Sequence, residues 1–181
     1  MKRQVPKIQV KAHTVAATRV ETAQAVLPGH TNAWGTLFGG LLMQWIDVAA
    51  AIAAARHAGG PVATASMDRL HFLRPVHVGE FVIVRAEVSF AARTSMEVEV
   101  EVLSEEPWTG NRASTTHALL TFVSIDEEGR PRPVPALVTE TASERRRFRE
   151  AAKRRDERLR ERAHLARRPA HRDSSARKKH G

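Results

Sequence analysis

From residue 39 to residue 55 the chain reads Gly-Gly-Leu-Leu-Met-Gln-Trp-Ile-Asp-Val-Ala-Ala-Ala-Ile-Ala-Ala-Ala, apolar nearly all round, the pattern of a buried helix and not of one with a single wet face. The pattern predicts a helix over about residues 39–57, closed by Ala58-Gly59-Gly60-Pro61, residues of the kind that end helices. Downstream the period changes to two. Residues 62–73, 80–91, 94–104 and 113–125 read as strands, separated by residues 75–79, a short Ala92-Arg93 junction and Pro107-Trp108-Thr109-Gly110-Asn111. In the clearest of them Met96, Val98, Val100 and Val102 alternate with Glu97, Glu99 and Glu101, so one face is expected in the core and the other in water. Short connections between the last strands predict antiparallel hairpins, and the one long helix ahead of them has to cover their apolar face. The expectation is an α+β fold, an antiparallel sheet wrapped around a long central helix. Upstream, residues 14–26 alternate loosely and read as a first strand, ending at Pro28-Gly29; residues 1–12 show no clear period and read as an N-terminal arm.

Asp47 stands inside the apolar helix, where a carboxylate is costly. No Arg, Lys or His lies three or four residues away to pair with it along the helix, which marks it as a working group. Ahead of it, residues 32–40 (Asn-Ala-Trp-Gly-Thr-Leu-Phe-Gly-Gly) end in a glycine pair where the apolar run begins. Gly39 and Gly40 can therefore present free N–H groups at a helix start that favours negative charge. With Asp47 about two turns further on and roughly beneath the same face, a carbonyl held there is expected to meet donors and a carboxylate together. For Asn32 the plain alternative is a loop residue turning the chain with its own side chain.

These pieces resemble the hotdog-fold acyl-CoA thioesterases of the long-chain acyl-CoA hydrolase branch. The resemblance rests on residues 31–40 running into Trp45-Ile46-Asp47, on residues 65–76 (Ala-Ser-Met-Asp-Arg-Leu-His-Phe-Leu-Arg-Pro-Val), on Arg93-Thr94-Ser95-Met96-Glu97-Val98 and on Thr121-Phe122-Val123, which cover residues 15–137 in the family's order. It implies a hotdog domain over residues 13–137 and hydrolysis of acyl-CoA to free CoA and a carboxylic acid. Asp47 would serve as general base for water or as a nucleophile forming a transient anhydride. It further implies that Asn32 of one subunit faces Asp47 of the other, that Gly39 and Gly40 donate to the thioester carbonyl, and that Arg93, Thr94 and Ser95 lie near the CoA phosphates. Arg69, Phe72 and Arg74 are further substrate-contact candidates, with His71 a weaker one. No separate cofactor is implied, because CoA arrives with the substrate. The assembly implied is a homodimer, extended to a hexamer as a trimer of dimers.

Composition adds two limits. The 181 residues suit one domain, so a two-domain version of this fold has to be built from two subunits, and the absence of cysteine leaves no thiolate nucleophile or disulfide and a cytoplasmic placement as the default. Neither an export signal nor a membrane span is expected, since Gln44 and Asp47 interrupt the apolar run. The formal charge of +9 is uneven: residues 143–181 hold 16 Lys or Arg against 6 Asp or Glu, and residues 1–142 hold 13 against 14. The basicity belongs to an appendage, so nucleic-acid binding by the domain as a whole does not follow from the charge. Pro131, Pro133 and Pro135 carry the chain off the sheet, and Thr141 with Glu144 forms a capping-box pattern that opens a charged helical extension over residues 138–168. Residues 169–181 read as a disordered basic tail. The leading role for the extension is a solvated helix with pairs such as Glu150 with Arg154; contact with a membrane surface or nucleic acid ranks second and a subunit-bridging helix third.

Two rivals remain on sequence grounds. One is a non-catalytic acyl-CoA-binding sensor, though the sequence shows no helix-turn-helix pattern of the kind such sensors carry. The other is a hotdog dehydratase, disfavoured because no His motif stands beside Asp47. No His/Asp/Glu cluster has metal-ligand spacing and no Gly-Xaa-Ser-Xaa-Gly elbow is present.

Overall fold

Gly39–Ala58 forms the helix that the apolar run predicts. The computed structural model describes residues 12–166, in the order β1 (His13–Thr14), α1 (Val15–Thr18), β2 (Val20–Ala25), α2 (Gly39–Ala58), β3 (Val62–Phe72), β4 (Phe81–Ala91), β5 (Ser95–Glu105), β6 (Arg112–Ser124), β7 (Leu137–Val138) and α3 (Ala142–Ala166). Residues 1–11 of the expected arm and the expected tail over 169–181 lie outside the described residues. Among the described residues no helix is long and apolar enough to cross a membrane.

Helix α2 ends as its sequence dictates. Gly59 takes the left-handed conformation (φ 60°) and returns its N–H to the Ala55 carbonyl at 2.8 Å. Arg132 reaches back to the Ala58 carbonyl at 2.9 Å, placing a cation at the negative end of the helix. Five antiparallel strands in the order β2-β4-β5-β6-β3 wrap one side of the helix. Leu42, Ile46, Ala49, Ala50, Ala53 and Ala54 are buried against the inward valines of β4 and β5 and against Leu120 and Phe122 of β6. The other side is open. Met43, Val48 and Ile52 are 38%, 51% and 38% exposed, so the helix that reads as buried all round is covered by its own chain on one side only, because five strands span only part of its circumference.

The expected first strand is broken. Thr14 caps a helical turn by accepting the Ala17 N–H at 3.3 Å, and β2 begins only at Val20. The turn has a job in the sheet: the buried Thr18 hydroxyl accepts the Val88 N–H at 2.9 Å, next to the register shift between Val88 and Phe90. Local alternation cannot reveal such a contact, which spans 70 residues.

The glutamate face of β5 also departs from expectation. Met96, Val98, Val100 and Val102 point inward as the alternation requires, but Glu97 is 0% exposed, because α3 lies over the outer face of the sheet. Arg154 and Arg158 donate to Glu97 at 2.5 and 2.8 Å, and Arg147 pairs with both Glu87 and Glu99. The expected Glu150–Arg154 pair yields to this arrangement, and Glu150 sits 3.9 Å from Arg146 instead. Thr141 and Glu144 do form the capping box, each accepting the other's backbone N–H at 3.1 Å.

His57, 0% exposed in the last turn of α2, hydrogen-bonds the Pro135 carbonyl through Nε2 at 3.0 Å, while its Nδ1 has no partner. Burial pushes its pKa down, opposed by the Pro135 bond. The folded state therefore favours neutral imidazole: this contribution is complete above the unfolded value of 6.5 and is lost as pH falls below it. The thermal midpoint of the wild type is expected to drop between pH 7.5 and 5.5. His57→Gln, less stable at neutral pH, should show a smaller drop over that range; an identical slope would remove His57 from the acid response.

Candidate active site

Asp47 is half-buried on the uncovered flank of α2, beside the edge strand β3, and its Oδ1 accepts a hydrogen bond from the Thr64 hydroxyl at 2.8 Å. The expectation of a buried, unpartnered carboxylate is thus corrected on both counts, because the partner comes from a strand 17 residues on and not from the helix itself. Thr64 was not among the sequence candidates. The available signal was its place on the strand directly after the helix, a hydroxyl among small residues where an apolar side chain would fit a sheet.

Asn32 closes its own loop. Its Oδ1 accepts the Trp34 N–H at 2.9 Å and the Thr36 N–H at 3.3 Å, and its Nδ2 donates to the Thr36 hydroxyl at 2.9 Å, so within the chain the turn-forming alternative holds. Phe38 N–H to His30 carbonyl (2.9 Å) and Leu37 N–H to Val76 carbonyl (2.8 Å) tie that loop to the start of α2. The helix start has no side-chain cap, and its first backbone bonds run from Leu41 and Leu42 to Phe38. Among the described residues, no hydrogen bond is donated by the Gly39 or Gly40 N–H, and both are free for an anionic oxygen.

These donors and Asp47 are not neighbours. Eight residues of helix separate Gly39 from Asp47, about 12 Å at 1.5 Å per residue. One thioester carbonyl cannot meet both from the same helix, which corrects the expectation of a single-face arrangement. Residues 93–95 lie further still, at the opposite end of α2: the Thr94 carbonyl accepts the Ser124 N–H (3.0 Å), the Arg93 carbonyl accepts the Val134 N–H (3.0 Å), and Ser124 pairs with Val62. The fold therefore splits the sequence candidates. Gly39, Phe72 and Arg74 line one cleft of about 360 Å³ at the helix start, with Asn32 in the adjoining loop; Asp47 sits with Thr64 mid-helix; Arg93, Thr94 and Ser95 occupy the far end. Arg69 and His71 are exposed on β3, opposite Leu119 and His117 of β6.

A larger cavity of about 570 Å³ lies on the outer face of the sheet, lined by Arg19, Arg85, Arg147, Glu87, Glu99 and His117 among others. Its charges are mutually paired: His117 hydrogen-bonds Glu99 at 3.0 Å, which holds the Glu99 carboxyl below and the His117 imidazole above their usual ranges. Asp47 lines neither cavity; the smaller cleft holds Gly39, Phe72 and Arg74 at the uncapped helix start and is the better substrate candidate.

The Thioesterase superfamily matches residues 35–110. The uncharacterized acyl-CoA thioester hydrolase YkhA of Bacillus subtilis is 42% identical over 127 residues, which span 70% of this chain and 74% of that protein. The chain belongs to the thioesterase superfamily. The acyl-CoA hydrolase of Staphylococcus aureus, solved with butyryl-CoA and CoA, superposes with a TM-score of 0.79 at 34% identity, covering 86% of this chain and 94% of that one. A hexameric acyl-CoA thioesterase superposes at 0.80 with 38% identity, covering 84% and 98%. Some relatives are much longer, and the chain spans 18% and 39% of two mouse enzymes. The wrapped helix is thus the hotdog fold of this superfamily. The Staphylococcus enzyme has also been solved with an Asn, an Asp and a Thr each replaced by Ala, spaced 15 and then 17 residues apart, the spacing of Asn32, Asp47 and Thr64 in this thioesterase-family chain.

The glycine pair offers a structural test. A Cβ at Gly39 would sit 3.5 Å from the Phe72 ring, an ordinary contact, whereas one at Gly40 would come within 2.5 Å of the Phe38 ring. Gly39→Ala is expected to stabilise by about 0.4–1 kcal/mol through the unfolded chain, and Gly40→Ala to gain less or lose, because the Phe38 ring must move. Denaturant midpoints compare them; equal shifts would show that the ring yields freely.

Proposed function

We propose that the chain hydrolyses acyl-CoA to free CoA and a carboxylic acid at a site shared by two protomers. The observation that carries the reading is the Asp47 carboxylate held by the Thr64 hydroxyl on the uncovered flank of the central helix. That bond fixes one carboxylate oxygen and leaves the other to act. In the general-base route Asp47 takes a proton from water as the water oxygen bonds to the thioester carbon. The carbonyl electrons then collect on an oxygen facing the Gly39 and Gly40 N–H groups, and collapse breaks the C–S bond while Asp47 returns the proton to the leaving thiolate. In the nucleophilic route Asp47 bonds to the acyl carbon, CoA leaves, and water opens the resulting anhydride.

The 12 Å along α2 between donors and carboxylate supports a two-protomer site, in which the glycine N–H groups and Asn32 of one copy face Asp47 and Thr64 of the other. The apolar side of α2 exposed at Met43, Val48 and Ile52, next to an edge strand with one neighbour, offers the surface for that pairing. Solved hexameric relatives support extending it to a trimer of dimers. Arg74 and Arg69 serve the substrate near the cleft, and Arg93, Thr94 and Ser95 of a neighbouring protomer hold the CoA phosphates. CoA enters as substrate, no separate cofactor belongs to the reading, and the cytoplasm is its setting.

Thiol release from short, medium and long acyl-CoAs tests it. Asp47→Ala is expected to abolish turnover with CoA binding retained, Thr64→Ala to lower kcat about 10²-fold, and Thr64→Ser to keep most of it. Wild-type turnover in Asp47→Ala would remove Asp47 from the chemistry. Acyl-CoA binding without release by the wild type would replace the enzyme with a sensor. A single turnover in ¹⁸O water separates the two routes, since attack of water on the Asp47 carbonyl of the anhydride leaves the label in Asp47.

A further inference from the structure

We propose that Arg158 is a positioning residue: through Asp68 it fixes the edge strand β3, so that α3 on the outer face of the sheet governs turnover at the Asp47–Thr64 pair on the inner face. The inference rests on the roles given to Asp47 and Thr64 above.

Within one protomer strand β3 is bonded only to β6, and its register slips twice, between Thr64 and Ser66 and between Met67 and Arg69. Asp68 stands in the second slip. Met67 faces Leu120 and Arg69 faces Leu119, which leaves Asp68 as the extra residue with no partner across the ladder. An extra residue bends a strand and re-aims the side chains on either side of it. Thr64, which meets Asp47 at 2.8 Å, precedes the first slip and Phe72, whose ring lies against Gly39, follows the second, so the two slips together set how these side chains are aimed. The slip is held by its own side chain: Asp68 Oδ2 accepts from the Thr121 hydroxyl at 3.1 Å and forms an ion pair with Arg158 Nη1 at 2.9 Å.

Arg158 is not an ordinary surface arginine. The same Nη1 donates to Glu97 at 2.8 Å, and Glu97, 0% exposed, also takes Arg154 at 2.5 Å and the Ser89 hydroxyl at 3.3 Å. A fully buried carboxylate left unpaired is costly, so these bonds hold the Arg158 guanidinium in one place, where a solvated pair would wander. Helix α2 is seated separately by its alanines. A shift of β3 therefore moves Thr64 relative to Asp47, and the only tie from α3 to β3 among the described ion pairs is Arg158 to Asp68.

Asp68→Asn cuts the tie and leaves the Glu97 seat intact. With butyryl-CoA as substrate, Asp68→Asn and Arg158→Ala are each expected to lower kcat about tenfold with KM within about twofold, and the double variant to be no slower than the slower single. Hydrogen exchange of the β3 amides should quicken in Asp68→Asn while those of α2 do not. A lower thermal midpoint with unchanged kcat would make α3 a brace alone and overturn the proposal; so would additive losses in the double variant, or unchanged β3 exchange. Wild type that releases no thiol from any acyl-CoA would instead sink the thioesterase reading, and the exchange measurement would then judge the strand positioning by itself.

Discussion

Four alanines set how closely the sheet can approach its helix. Ala49, Ala50, Ala53 and Ala54 are at most 1% exposed, and opposite them stand Val82, Val84, Val88, Val98 and Val100, all fully buried. Methyl-sized side chains on the helix and β-branched ones on the strands let the backbones come near and the sheet curl round. A larger residue at any of these positions would push β4 or β5 away, at roughly 1–3 kcal/mol of strain. The close fit on this side has a consequence on the other. The five strands end before they encircle α2, and Met43, Val48 and Ile52 are left exposed, with Asp47 half-buried beside the edge strand β3.

That incomplete wrapping explains why the chemistry is divided along the helix. The free N–H groups must lie at the first residues of α2, because nowhere else does a helix present unbonded donors. The carboxylate must lie where β3 runs alongside, because the hydroxyl that holds it is on that strand. Eight residues of helix separate the two, and no rotamer closes that distance. In the two-protomer site proposed above, a second copy antiparallel on the open flank would bring donors to carboxylate, so the division that leaves one copy incomplete is what a two-fold pair would complete.

Much of the fold was legible in the sequence. The change of period from an unbroken apolar run to strict alternation located α2 and the four long strands, and the C-terminal glycines located the helix end, because these are local steric rules. What failed was non-local. An apolar run around a helix says that water is excluded, but not whether the exclusion comes from the same chain or from a second one, and so Asp47 read as buried when its own chain leaves it half-open. The alternation in β5 placed Glu97 on the outer face correctly, yet assigned that face to water, since no strand pattern announces a helix that docks on it 57 residues later. Asn32, Gly39 and Asp47 stood out because their residue types are anomalous where they occur. Thr64 did not, because a threonine in a strand is ordinary; its hydroxyl gains meaning only from the carboxylate across from it.

The outer face also answers the question raised by the uneven charge. The basic C-terminal segment and the slightly acidic remainder are not independent: Arg147, Arg154 and Arg158 from the one meet Glu87, Glu97, Glu99 and Asp68 from the other. Three of the segment's 16 Lys and Arg residues are therefore answered by carboxylates of the sheet. Ion pairs are a poor way to hold a helix on a sheet if stability is all that matters, since apolar residues of similar volume do as well or better once desolvation is counted. What ion pairs supply is register. A helix held by apolar contacts alone can slide along a flat face, whereas one whose arginines must each find a carboxylate at 2.5–2.9 Å sits in one place. On this face register is what matters, because the last of those carboxylates belongs to the strand that aims Thr64 at Asp47.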